Sequence, residues 1–202
     1  MKKKLLIIKI FGVLFVIMIG IFRINNEVTV LSDYILNNIN TKYNYSFSNN
    51  NLTSSILLEY LDYNAKELKS NIKINKLIKK SKKIYISVGM NDLLNFVSLD
   101  ENKLIYNPTL INQKIALLEY NLHEIISSIL AIKEVDIYYI SLYYLNDERF
   151  DSIIEECNFE LKDLLESMNV TFIDISNEVK IKNFKFNNEN KECINNLIES
   201  MS

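Results

Sequence analysis

Glycine is scarce in this sequence. Only three of 202 residues are glycine, where average usage would give roughly fourteen. Gly12 and Gly20 lie in the first apolar stretch, so everything after residue 22 holds only Gly89. A Gly-rich phosphate loop or a dinucleotide fingerprint is thereby excluded. One His and two Cys exclude a zinc cluster and a disulfide framework. A single Pro, with so little Gly, excludes collagen-like and low-complexity disordered classes. Neither a metal nor a cofactor is expected. What remains is a chain 49% apolar, long enough for one domain with a sizeable core.

Long apolar runs are confined to the N-terminus. Met1-Lys2-Lys3-Lys4 precedes Leu5–Phe22, and Arg23 closes the run. Eighteen helical residues span about 27 Å, close to the roughly 30 Å hydrocarbon core of a bilayer. Lys9 lies near enough to the start to snorkel back to the lysine cluster. Lysines ahead of the span place the N-terminus inside and the remainder outside. A cleaved secretory signal has the same start, but no small-residue cleavage site and no lipobox cysteine follow. Residues 1–23 therefore read as a signal anchor, 24–27 as a short linker and 28–202 as an extracytoplasmic domain of a single-pass membrane protein. Lys2, Lys3, Lys4, Lys9 and Arg23 carry +5, which leaves 18 basic against 25 acidic residues, or −7, beyond the anchor. That balance gives no support to nucleic-acid binding.

Along the domain, short apolar runs alternate with amphipathic ones. Strands are expected at 28–31, 43–47, 84–88, 137–142 and 170–175. Helices are expected from Ser32-Asp33 to Asn40, over Leu52–Lys80 with a break near Asn71, over Thr109–Ile132 behind Pro108, over Glu148–Met168 and over Asn188–Met201. Alternation of this kind predicts an α/β domain, a three-layer α/β/α sandwich on a five-stranded parallel sheet of flavodoxin-like order 2-1-3-4-5. Sites in such sheets lie beyond the carboxyl ends of the strands.

Strand three ends in Gly89-Met90-Asn91-Asp92. The run IYISVGMNDLL, with the element order around it, resembles the SGNH hydrolases, the GDSL-type lipases and esterases, over about residues 27–200. The resemblance implies ester hydrolysis by a serine, a base and oxyanion donors. Carried onto this sequence it assigns roles unevenly. The nucleophile position, in a G-D-S motif after strand one, falls on Ser32-Asp33-Tyr34, so Tyr34 stands where the serine belongs. The glycine donor after strand two falls near Asn49, and the amide donor is kept as Asn91. The D-x-x-H motif falls on Lys182 and Lys185. The machinery is degenerate on this reading.

Each residue also has a plainer role. Asn91, Gly89 and Asp92 can anchor their own loop. Ser32 is a helix cap or, with less support, a displaced nucleophile. Lys185 is a solvated lysine unless burial makes it a base. His123, off the apolar stripe of the central helix, reads as a boundary residue, and Cys157 as a buried thiol. The lysines at 69, 73, 76, 79, 80, 82 and 83 form a solvated helix face or a contact with anionic lipid or wall polymer. Tyr143 and Tyr144 are the best aromatic pocket liners. The expected function is binding or scaffolding at the cell envelope, with a glycan, a lipid or a protein as partner. The alternatives are a divergent acyl or acetyl esterase and a structural protein with no ligand.

Overall fold

A computed structural model describes residues 28–33, 45–48, 51–61, 68–100, 103–179 and 196. The expected anchor, the linker and, apart from Asp33 and residue 196, the helices expected at 33–40 and 188–201 lie outside the described residues. So do Tyr34, Asn49, Lys182 and Lys185.

The domain is α/β and its main sheet is parallel. The strands are β1 (Val28–Ser32), β2 (Tyr45–Ser48), β3 (Lys83–Ser87), β6 (Asp136–Ile140) and β7 (Thr171–Ile173), in the spatial order β2-β1-β3-β6-β7. Register is set at the centre by Thr29 beside Ile84 and Ile84 beside Ile137. The helices are α1 (Ser54–Leu61), α2 (Leu68–Lys80), α3 (Met90–Leu94), α4 (Pro108–Ile132) and α5 (Glu148–Ser167). α1, α2, α4 and α5 touch in one connected layer. The sheet face bearing Thr29, Ile84 and Ile137 meets that layer, where Ser81, just after α2, donates its hydroxyl to Thr29 Oγ1 at 2.6 Å. On the other face Tyr85 stacks on Tyr138 with ring centroids 4.8 Å apart.

Local chemistry accounts for most boundaries. Asn107 accepts from Leu110 N–H and Pro108 opens α4. Asp147 accepts from Phe150 N–H at the start of α5. Asn169, at φ 59°, ends α5, and Val170 N–H reaches back to the Leu165 carbonyl, a six-to-one closure of the last turn. α4 is long and apolar enough by itself to cross a bilayer. Here Ile111, Leu118, Leu122, Ile125, Ile126 and Ile129 are fully buried in the core, so it is the central core helix.

Several expectations need correction. Within the run 52–80, Ser54–Leu61 and Leu68–Lys80 are helical and no break falls near Asn71; residues 62–67 lie outside the described ones. The strand expected at 137–142 stops at Ile140, and the one at 170–175 is Thr171–Ile173. In both cases side chains take up backbone groups just past the strand. Asn158 both accepts from Leu142 N–H and donates to its carbonyl, each at 2.9 Å. Ile175 N–H donates to Ser141 Oγ at 2.9 Å. An antiparallel hairpin, β4 (Val97–Asp100) and β5 (Lys103–Tyr106), and the short α3 were not foreseen.

Gly89 is where the fold is least forgiving. Its φ is +128°, and a Cβ there would lie 2.9 Å from both Leu118 Cδ2 and Leu142 Cδ2. The sole glycine of the domain is therefore required by backbone conformation and by close packing of α4 and the loop after β6. Gly89→Ala should lose roughly 1–3 kcal/mol of stability. Urea unfolding would read this as a lower midpoint at constant slope, and an unchanged midpoint would refute it.

Candidate functional site

The carboxyl ends of β1, β2, β3, β6 and β7 define the end of the sheet where a site is expected. The loop after β3 contributes Gly89, Asn91 and Asp92, and β1 ends on Ser32, with Asp33 directly after it. Asp33 is buried and its N–H donates to the Ser87 carbonyl at 2.9 Å, which ties the end of β1 to the end of β3. Tyr139, on β6, donates its hydroxyl to the Val88 carbonyl at 2.7 Å, next to Gly89. Burial pushes the Tyr139 phenol well above its usual range, with Cys157, Asp33 and Asp92 adding to it. Asp33, Asp92 and Tyr139 are thus brought together.

The structure gives Asn91 and Asp92 specific work. Asp92 Oδ2 accepts from Ser54 N–H at 2.9 Å, and Oδ1 accepts from Ser54 N–H at 3.2 Å and from Ser54 Oγ at 2.6 Å. Ser54 opens α1, so a carboxylate 38 positions away in sequence satisfies a free N–H of the first turn. Asn121 of α4 donates to Ser54 Oγ and Ser55 Oγ, both at 2.9 Å. Asn91 Nδ2 donates to the Leu52 carbonyl at 2.9 Å. The motif thus fastens the chain between β2 and α1 to the end of β3, and one of the two amide hydrogens of Asn91 is spent on backbone.

Ser32 does not cap a helix. It is the last residue of β1, wholly buried, and its Oγ has no hydrogen-bond partner. A hydroxyl with no acceptor for its proton is not an activated nucleophile. The only His in the chain, His123, is exposed on α4, with Nδ1 3.1 Å from Glu124 Oε1. Cys157 is buried and its thiol is pushed above its ordinary range, first by burial and then by Glu119, Glu160 and Glu156; it is a core residue. Tyr143 is buried in the core and Tyr144 packs against it. Among the described residues no cluster of His, Cys, Asp or Glu is arranged to hold a metal.

Residues with no motif signal complete this end of the sheet. Ser54 holds the loop carboxylate, Asn121 holds the Ser54 hydroxyl, and Asn158 holds the chain after β6. Asp174 accepts from Ser141 Oγ at 3.3 Å and from Ser176 N–H and Oγ at 2.8 and 2.6 Å, joining the ends of β6 and β7. Polar residues on otherwise apolar helix stripes, such as Asn121 within the Leu118–Leu122–Ile125 stripe, were the available cue.

Asp92 also sets a pH dependence. Burial raises its pKa, against the opposing effect of the Ser54 hydrogen bonds and of Lys114. The folded state therefore binds this proton more tightly than the unfolded state does. The resulting stabilisation is full below the unfolded pKa and is lost as pH rises through the folded one. Measured against Asp92→Asn, the native protein should be relatively more stable at pH 4 than at pH 7 in urea titrations. A difference that is flat with pH would contradict this. Asp92→Ala, which strands the Ser54 N–H and hydroxyl, should cost roughly 2–4 kcal/mol.

No protein-family model and no curated protein matches the sequence. Solved structures match in fold. A candidate acylhydrolase from Bacteroides fragilis superposes with a TM-score of 0.57 at 15% identity, over 87% of this chain and 86% of its own. A gut microbial diltiazem-metabolizing enzyme also gives 0.57, at 10% identity, over 87% of this chain and 46% of its own. At such identities the likeness is one of architecture, and the chain has a hydrolase-like α/β fold.

Proposed function

We propose that this chain is a degenerate member of the SGNH hydrolases, held at the membrane by residues 1–23, whose three-layer domain binds or scaffolds a component of the cell envelope, a glycan or a protein. The observation that carries the reading is the use made of the G-x-N-D loop. Asn91 is bonded to the Leu52 carbonyl and Asp92 to Ser54, so the loop holds the architecture together. The hydroxyl nearest the expected nucleophile, Ser32 Oγ, is sealed without an acceptor. Tyr34, Lys182 and Lys185 occupy the positions of serine, aspartate and histidine in the sequence. Without an activated hydroxyl and its base, most of the covalent acceleration is forfeited, and only donors and binding remain.

The second reading is a divergent acyl or acetyl esterase. Its support is the fold shared with a candidate acylhydrolase and with a drug-metabolizing enzyme. A fluorophosphonate probe separates the two. On the proposed reading the full-length protein stays unlabelled and turns over p-nitrophenyl acetate no faster than Ser32→Ala or Asn91→Ala. Labelling of one serine, together with a rate that either substitution abolishes, would establish the esterase instead. Topology has its own check. Protease added to intact cells should remove residues 28–202 and spare the short N-terminal stub, whereas full protection would overturn the outward orientation.

A further inference from the structure

We propose that the end of the domain where the strands begin rests on an anionic bilayer surface through Lys79, Lys80, Lys82, Lys83 and Lys133, so that the Gly89–Asp92 loop opens away from the membrane. The inference deepens the anchored reading above and rests on it. In a parallel sheet all strands start at one end. Val28, which opens β1, is in register with Lys83, and Lys83 with Asp136. α2 ends at Lys80 and α4 at Ile132, which delivers Lys79, Lys80, Lys82 and Lys133 to the same end.

Chain length fixes how far this end can be from lipid. Only residues 24–27 separate Arg23, at the close of the apolar span, from Val28. Fully extended, that connection spans roughly 17 Å, about two Debye lengths at physiological ionic strength. The strand starts therefore cannot leave the electrostatic reach of the headgroups by much. The charge at this end is opposite to that of the domain. Five lysines gather there against Glu134, Asp136 and Glu166, with Glu27 next to Val28 in the sequence, a balance of about +1 within a domain carrying −7. Lys79, Lys80 and Lys82 are exposed, and Lys83 and Lys133 are partly so. A cleft of about 710 Å3 opens beside Lys82 and Lys133, lined also by Ser81, Glu134, Asp136 and Asn169 among others, large enough for a headgroup. Lys133 Nζ, which donates to the Ser81 carbonyl, and Lys83, which lies 5.7 Å from the Tyr138 ring centroid, are held in place there. Lysines near an anionic surface attract it additively.

The test uses the full chain in nanodiscs of phosphatidylcholine alone or mixed equally with phosphatidylglycerol, with amine acetylation read by mass spectrometry. Acetylation of Lys79, Lys80, Lys82, Lys83 and Lys133 should fall roughly three- to tenfold in the anionic discs, and 0.5 M salt should restore it. Lys103, on the hairpin, and Lys114, near the start of α4, should not change. Lys79→Gln/Lys80→Gln/Lys82→Gln should remove the lipid effect at Lys83 and Lys133. Equal acetylation in both lipids, or equal protection of Lys103 and Lys114, overturns the proposal. Alkaline carbonate wash distinguishes the two layers of the argument. Release from both bilayers overturns the anchor, and the basic end then stands only if the chain still floats, salt-sensitively, with vesicles containing phosphatidylglycerol.

Discussion

A carboxylate taken out of water has to be met by donors, and much of this domain is arranged around one that is. Asp92 is 8% exposed and sits under a core of fully buried Leu93, Leu118 and Leu122. Its donors come from Ser54, the first residue of a helix reached only after the chain has left β2. Meeting that requirement fixes where α1 begins and ties the loop after β2 to the loop after β3. Asn121 then completes the Ser54 hydroxyl from α4. A half-satisfied network of this depth would cost more than an apolar replacement, so its members stand or fall together.

Gly89 makes that junction sterically possible. Its positive φ turns the chain straight from strand into α3, and its missing Cβ admits the side chains of Leu118 and Leu142. Met90, the residue after the glycine, is then buried, and the next two aim amide and carboxylate at the β2–α1 connection. One loop thus serves turn, packing and capping at once. In an ester hydrolase the same amide would be aimed at an oxyanion. Here its observed acceptor is a backbone carbonyl, and the difference between a catalytic and an architectural asparagine is one of what lies opposite it.

The sheet separates two sets of polar side chains in space. At the strand ends lie Asp33, Asp92, Tyr139 and the loops that close over them. At the strand starts lie the lysines and the point where the chain enters the domain. About 16 Å of extended backbone, five residues at strand rise, separates the two.

Composition and periodicity were enough to determine the class of this protein. β-branched and aromatic runs bounded by 3.6-residue apolar stripes announce parallel α/β structure, because both patterns report burial of a face, and burial is local in sequence. The stripe Ile111–Leu118–Leu122–Ile129 placed α4 to within a residue, and the lone glycine marked the loop that matters. The hairpin Val97–Tyr106 was legible in principle from Val97, Leu99, Leu104 and Tyr106 around a polar turn, but so short an alternation competes poorly with its helical neighbours. The end of β6 at Ile140 and the hold on Leu142 were not legible, since Asn158 acts across 16 positions. What only the tertiary structure decided is the use of Ser32, Asn91 and Asp92. Residue type and spacing permitted nucleophile, oxyanion donor or anchor alike. The choice depends on which group a folded chain sets within 3 Å, and Leu52 and Ser54 owe that position to the packing of α1 against α4, which no spacing in the sequence encodes.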